Sequence, residues 1–291
     1  MNIMRSLMFV PGNRRDMLEK SLSFRADIIV PDMQDSVPLS EKQSARDVIH
    51  DMLPVLAEAQ KKIVVRVNAR STGLLEDDIK AAVSPHTFGL NIVNIDTPED
   101  VVITERLVAE QERMQGLDHG SIKFIIYLES ALGVTNAYIN CMSSDRIIGA
   151  AFGAEDFTVD MGVNRTDEGK EILVPRSMVA IAATAAGVVP IDVVYANFRD
   201  IDGLEKDVIA GKNMGYKGKF AIHPGQLDSI NVLLSPNEEE IEYARRVVDV
   251  FEESLSEGRG ATSLDGKMID YPVVKRAQNV LDIAKGIEQT F

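Results

Sequence analysis

Two carboxylates, Glu129 and Asp156, each stand just past an apolar run. Ile125-Ile126-Tyr127-Leu128 leads into the first, and Ile147-Ile148-Gly149-Ala150-Ala151-Phe152 leads, through Gly153-Ala154-Glu155, into the second. Both runs read as buried parallel strands with helical sequence between them. Carboxylates at the C-terminal ends of successive strands suit a divalent cation at the mouth of a barrel. Mg²⁺ takes hard oxygen ligands and keeps several waters, so two carboxylates plus substrate oxygens suffice, with Mn²⁺ as the alternative ion. Taken singly, each carboxylate also fits a structural ion pair. Arg66, after Ile63-Val64-Val65, brings a cation to the same rim, where a planar guanidinium suits bidentate capture of a carboxylate. The alternative for Arg66 is an internal salt bridge to Glu129 or Asp32. Asp32 and Asp35, at the end of the second strand, can orient Arg66 or a metal-bound water, or cap the helix that starts near Ser40. Pro11, Gly12, Asn13 and Arg14 form a turn after the first strand that can offer amides and a cation to a phosphate. The turn matches neither the P-loop nor the dinucleotide fingerprint, and Arg14 and Arg15 can equally be solvated.

Other chemistries lack their residues. The four histidines, at 50, 86, 119 and 223, have no paired ligand spacing, and no Gly-Xaa-Ser-Xaa-Gly elbow is present. The lone Cys141 has no partner thiol and reads as a buried bystander. With 291 residues, 45% of them hydrophobic, the chain can bury a large core. Its net charge of −14 leaves no broad basic surface for nucleic acid or anionic lipid. No stretch approaches the roughly 18 apolar residues of a membrane span, so the expected location is the cytoplasm.

The elements that must position these residues recur with regular spacing. Eight short apolar runs, at about 6–10, 27–32, 63–68, 90–95, 123–129, 146–152, 190–196 and 218–223, alternate with amphipathic segments at 16–24, 40–60, 97–114, 175–186 and 203–214. Continuous rather than alternating hydrophobicity marks parallel strands covered on both faces. Eight of them predict an α/β fold, a TIM (β/α)₈ barrel with a C-terminal helical lid extension. The expected division is a barrel over 1–234 and a helix and lid over 235–291, packing on a neighbouring subunit. Ser40 before Glu41, and Thr97 before Pro98-Glu99-Asp100, are helix starts. Polar residues collect at five strand ends: 31–37, 66–68, 94–96, Glu129, and Glu155 with Asp156.

With these positions in hand, the chain resembles the citrate lyase β-subunit-like family, which includes malyl-CoA and citramalyl-CoA lyases. The similarity runs from Arg5 to about Ala284. It is carried by Arg5-Ser6-Leu7-Met8-Phe9-Val10-Pro11-Gly12-Asn13, Asp32-Met33-Gln34-Asp35-Ser36-Val37, Arg66-Val67-Asn68, Leu128-Glu129-Ser130, Phe152-Gly153-Ala154-Glu155-Asp156-Phe157, His223-Pro224-Gly225-Gln226 and Asp265-Gly266-Lys267-Met268-Ile269-Asp270-Tyr271-Pro272.

The resemblance implies Mg²⁺ on Glu129 and Asp156, and substrate contacts from Arg66, Glu129, Asp32 and Arg14. It implies a CoA thioester entering past Pro11, Gly12, Asn13 and Arg14, and a 2-oxo acid of pyruvate, glyoxylate or oxaloacetate type held by Arg66. Catalysis would fall to Arg66, Asp35 and Asp270, the last moving a proton in a neighbouring subunit's site within a homotrimer or homohexamer. Asp270 can also be the N-cap of the final helix. The activity implied is retro-Claisen cleavage or Claisen synthesis of a 3-hydroxyacyl-CoA. The alternatives are the citryl-thioester-cleaving β subunit of a citrate lyase complex, or a non-catalytic homologue that binds CoA or a 2-oxo acid. Gln34 stands where many members carry Glu, and Asn94 and Asp96 stand where many carry Lys and Glu.

Overall fold

A computed structural model describes residues 3–166 and 168–288. Within Met4–Ile230, eight parallel strands close into a barrel in sequence order: β1 (Ser6–Pro11), β2 (Ile28–Asp32), β3 (Val64–Arg66), β4 (Gly89–Ile92), β5 (Lys123–Leu128), β6 (Ile147–Phe152), β7 (Val189–Asp192) and β8 (Gly218–Ala221). The predicted TIM barrel is therefore the observed one. Strands contribute inward residues at a spacing of two, among them Ile28 and Val30 on β2 and Ile125 and Tyr127 on β5. These meet Leu7, Val64, Ala151, Ile191 and Phe220 in one buried cluster, as expected of a barrel filled by side chains.

Helices between the strands cover the outside, including Lys42–Glu58, Pro98–Gln115, Lys170–Ala185 and Ile201–Met214. Thr97 starts its helix as expected: its amide and hydroxyl both donate to the Asp100 carboxylate at 3.0 Å, and Pro98 occupies the first turn. Ser40 does not cap. It lies inside the 3₁₀ turn Leu39–Glu41 that precedes the helix, because Pro38 already bends the chain there. The predicted strand over 90–95 ends at Ile92, since Asn94 adopts a left-handed conformation (φ 54°) that breaks the extended run. The run over 190–196 likewise stops at Asp192.

A second unit gathers 231–288 with Ile3. Its long helix Glu238–Ser256 is capped reciprocally by Asn237 and Glu240, at 2.8 and 2.9 Å. A hairpin follows, β9 (Thr262–Leu264) with β10 (Lys267–Ile269), turned by Asp265 and Gly266 at φ 50° and 75°. Such an Asp-Gly pair is the signature of a tight hairpin, which the expected helix and lid over 235–291 did not include. The helix Tyr271–Glu288 then packs Val274 and Ala277 against Val247 and Phe251.

Buried ion pairs anchor the strand beginnings. Arg5 grips Asp27 at 2.7 Å ahead of β1 and β2, and Arg146, just ahead of β6, makes two 2.7 Å bonds to Glu112. The Glu112 carboxylate also accepts from the amides of Gly120 and Ile122. Burial works to raise its pKa, but Arg146 and these amides hold it down to about 2, against 4.5 for a solvated glutamate. A folded-state pKa below the unfolded one contributes stability that is present above pH 4.5 and is lost as pH falls toward 2. The depression corresponds to about 3 kcal/mol at neutral pH. Glu112→Gln should accordingly be destabilised at pH 7 and should flatten the acid limb of urea-measured stability against pH. An unchanged acid limb would contradict the assignment.

Candidate active site

The site residues stand where the barrel strands end. Register places Asp32, the last residue of β2, beside Arg66, the last of β3. The pair is bidentate: Arg66 Nε and Nη2 each donate to one Asp32 oxygen at 2.7 Å, while Nη1 points to Asp35 at 3.3 Å. The guanidinium also lies 4.3 Å over the Phe9 ring, a cation–π contact that fixes its plane. Of the readings open for Arg66, the internal salt bridge to Asp32 is thus present, and it leaves the Nη1 edge toward the cleft.

Asp32 is fully buried and also accepts from the amides of Gln34 at 2.8 Å and Ser36 at 3.1 Å. Burial works to raise its pKa, but Arg66 and these donors outweigh it and hold it low, so it stays charged. Burial likewise disfavours the Arg66 cation, yet Asp32 holds its pKa above the usual arginine value. Lys42 ties the two loops together from outside, donating to Met33 O at 2.6 Å, Gln34 O at 2.7 Å and Asn68 Oδ1 at 2.9 Å.

Glu129 follows β5 directly and is buried. One of its oxygens accepts from the Asn94 amide at 2.7 Å. Asp156 lies in the first turn of the helix Ala154–Asp160, beyond the end of β6 and exposed. It lines the same cleft as Glu129. Burial first, and then the Asp156 charge, push the Glu129 carboxyl up to about 8. Two adjacent like charges need a proton or a cation between them, and every donor atom here is a hard oxygen, the set that a hard divalent cation prefers. Among the described residues no group of three or more His, Cys, Asp or Glu is arranged to hold a metal ion. Glu129 and Asp156 are the two carboxylates that could hold such an ion, with water or substrate oxygens completing its coordination.

A cleft of about 210 Å³ joins these groups, lined by Asp35, Arg66, Tyr127, Glu129, Gly153 and Asp156. Asp35 sits at its rim. Partial desolvation raises its carboxyl, Arg66 opposes this, and the Asp32 and Asp156 charges add to the rise. Buried Tyr127 forms the floor, its ring 5.2 Å from that of Phe220.

The turn after β1 is more closed than its sequence predicts. The Gly12 amide donates to Asp32 O at 2.8 Å and the Arg14 amide to Pro11 O at 3.1 Å. A Cβ at Gly12 would lie 2.5 Å from Asp32 O, so this glycine serves the close approach of β1 and β2 rather than a phosphate cradle. Asn13 donates to Glu41, and Arg14 pairs with Asp16 at 2.9 Å on the surface. Asp270 belongs to the second unit. Its Oδ1 accepts from the Val273 amide at 3.3 Å, so the N-cap reading is the one visible there. Cys141 is buried, and burial pushes its thiol up to about 12, which fits a bystander.

Two functional neighbours were missed in the sequence, Gly153 and the Asn94 backbone. A Cβ on Gly153 would lie 2.5 Å from both Cβ and Oε2 of Glu129. The Gly between Phe152 and Ala154 was the available signal, since a glycine at a strand end marks a close approach.

Residues 5–224 match the HpcH/HpaI aldolase/citrate lyase family, and the chain belongs to that family. It is 36% identical over 280 residues to the citrate lyase subunit beta of Leuconostoc mesenteroides subsp. cremoris, covering 96% of this chain and 93% of that one. It is 30% identical over 295 residues to the mitochondrial citramalyl-CoA lyase of Homo sapiens, covering 98% and 86%. The structure superposes with a TM-score of 0.78 on protein CitE from Mycobacterium tuberculosis in complex with magnesium, acetoacetate and coenzyme A. That likeness comes at 26% identity and covers 96% of this chain and 97% of that one.

Gly153→Ala should push the Glu129 side chain aside and weaken divalent-cation affinity about tenfold or more, as losses in the shell around a ligand do. Titration calorimetry reads this. Unchanged affinity would deny the close approach any role.

Proposed function

We propose that the chain is a Mg²⁺-dependent carbon–carbon lyase that cleaves a 3-hydroxyacyl-CoA of malyl-CoA or citramalyl-CoA type into an acyl-CoA and a 2-oxo acid. The observation that carries this reading is the convergence of the Glu129 and Asp156 carboxyls beside the Arg66 guanidinium in one cleft at the strand ends. Family membership and the lyase names of the relatives support it. Glu129 and Asp156 would hold the ion, with Mn²⁺ able to substitute. When bound, it supplies positive charge that stabilises negative charge developing on substrate oxygens.

In the cleavage direction the substrate 3-hydroxyl loses its proton and the C2–C3 bond breaks. C3 becomes the carbonyl of the 2-oxo acid, and the electron pair passes into the thioester as an enolate that is then protonated at carbon. Arg66, its plane fixed by Asp32 and Phe9, binds the 2-oxo-acid carboxylate through its cleft-facing edge. Asp35, whose carboxyl partial desolvation raises, takes the hydroxyl proton. Asp270 of a neighbouring copy delivers the proton to carbon. The CoA portion enters over the β1 turn, where Arg14 offers a surface cation.

This assignment needs a homo-oligomer, a trimer or hexamer. The helix Lys170–Ala185 supports one, because it turns Val174, Met178 and Ile181 outward at helical spacing, exposed by 66%, 41% and 67%. The short helix Ala137–Cys141 packs against it and exposes Ile139 beside Met142. Such apolar patches on a surface mark contacts, here with a second copy of this chain. Among the described residues no helix is long and apolar enough to cross a membrane.

A second reading, the citryl-thioester-cleaving β subunit, is favoured by the higher identity to the Leuconostoc protein, 36% against 30%. Incubation with Mg²⁺ and malyl-, citramalyl- or citryl-CoA, or with a citryl thioester of an acyl carrier protein, following the 2-oxo acid released, separates the two. Release from malyl- or citramalyl-CoA that stops with EDTA is expected. Cleavage only of a carrier-protein thioester would favour the second reading, and no cleavage of any thioester would contradict both. Light scattering should find an oligomer that Val174→Asp/Ile181→Asp dissociates. A monomeric parent protein would contradict that assignment.

A further inference from the structure

We propose that Asn94 is the positioning residue of the metal centre, acting through its backbone: a left-handed conformation aims its amide N–H at one oxygen of Glu129 and sets the rotation of that carboxylate. The proposal deepens the ligand assignment of Glu129 and Asp156 and rests on it.

Among the described residues, three that are not glycine have positive φ: Gln60, Asn94 and Asp265. Gln60 follows the end of the helix Lys42–Glu58, and Asp265 turns the β9–β10 hairpin, so both do a local turn's work. Asn94 does neither. It stands two residues past β4, and the chain on either side of it is anchored. Val93 belongs to the cluster inside the barrel, and the Ile95 amide donates to Tyr127 O at 3.2 Å. The Asp96 carbonyl accepts from Asn136 Nδ2 at 2.9 Å and Asn140 Nδ2 at 3.2 Å. Between those fixed points one residue must make the bend, and at φ 54° it does so in the region where a Cβ crowds the following carbonyl. Asn and Asp tolerate that region better than other residues with a Cβ, and β-branched residues tolerate it least.

The bend has a chemical product. It sends the Asn94 N–H 2.7 Å from Glu129 Oε1, at the short end of the range for an amide hydrogen bond. The bare Cα of Gly153 leaves room for Glu129 Cβ and Oε2, which would lie 2.5 Å from a Cβ built there. One carboxylate oxygen is thereby held by an amide while the other lies against a glycine. The Asn94 side chain is not part of this clamp. It is exposed and faces a neighbouring cleft of about 350 Å³ with Asn68, Arg70 and Asp96. What the position demands is therefore a backbone conformation, and the side chain matters only through its tolerance of it.

The test compares Asn94→Val, Asn94→Ala and Asn94→Gly by Mg²⁺ titration calorimetry, with melting temperature as the fold control and Glu129→Gln alongside. Asn94→Val should weaken Mg²⁺ affinity about tenfold or more, as loss of a partner that orients a ligand does, and Asn94→Ala should weaken it less. Asn94→Gly, which reaches the left-handed region freely, should rescue affinity to within about threefold of the parent. If Asn94→Val does not fold, the ordering of Asn94→Ala against Asn94→Gly decides. Equal affinity in the valine and parent proteins, or in the alanine and glycine variants, overturns the proposal. So does a glycine variant as weak as the valine one, which would place the role in the side chain. If Glu129→Gln binds Mg²⁺ like the parent, the ligand assignment itself has failed. If it does not while Asn94→Val does, the positioning role alone has failed.

Discussion

Two carboxyls of like charge, Glu129 and Asp156, line one cleft at the rim of a parallel barrel and act on each other electrostatically, and one of them is buried. That arrangement is unfavourable unless a proton or a cation sits with the pair, and burial makes the demand stronger. Much of the surrounding structure can be understood as enforcing it. The Asn94 amide and the glycine at 153 fix one carboxylate, and the first turn of the helix Ala154–Asp160 presents the other. The neighbouring Arg66 offsets the pair only in part: its charge lowers the Glu129 carboxyl, but its fork is committed to Asp32 and burial with the Asp156 charge prevails. The barrel therefore keeps its proposed anion-binding and cation-binding groups separate and adjacent.

The division between the two ends of the barrel follows the same logic. At the strand beginnings, charges are closed into complete pairs, Arg5 with Asp27 and Arg146 with Glu112, and these contribute rigidity. On the outer face of β7 and β8, buried Lys219 is satisfied by Asp192, Asp207 and the Val193 carbonyl. At the strand ends, Arg66 keeps one edge, and Glu129 and Asp156 keep their mutual conflict. Charge conflict retained at one face, where the buried charges elsewhere are paired, is what marks that face as a candidate for chemistry.

The fold was legible because eight apolar runs alternate with helical ones, and parallel strands buried on both faces leave that trace whatever their exact ends. The ends themselves were less legible. Asn94 read as part of the extended end of a strand, since a single residue's φ leaves little mark when Asn is its only sign. Glu129 and Asp156 were legible from position alone, and Arg66 was placed correctly with its partner left open between Glu129 and Asp32. Pairing depends on strand register, which a hydrophobic run of three residues such as β3 does not specify. Gly12 misled for a related reason. A glycine before a helix suggests an anion cradle, whereas this one admits the Asp32 carbonyl. The buried side chain of Lys219 went unnoticed because a lysine inside an apolar run is visible as an anomaly only once its acidic partners on other elements are known.

The claim that everything else rests on is that Glu129 and Asp156 together hold one divalent cation. The most direct measurement is the number of Mn²⁺ ions bound per chain, read from the electron paramagnetic resonance signal of the free ion during titration, in the parent protein and in Glu129→Gln and Asp156→Asn. The account predicts one ion per chain in the parent and its loss in each single variant. Full retention of that ion by either variant would contradict it.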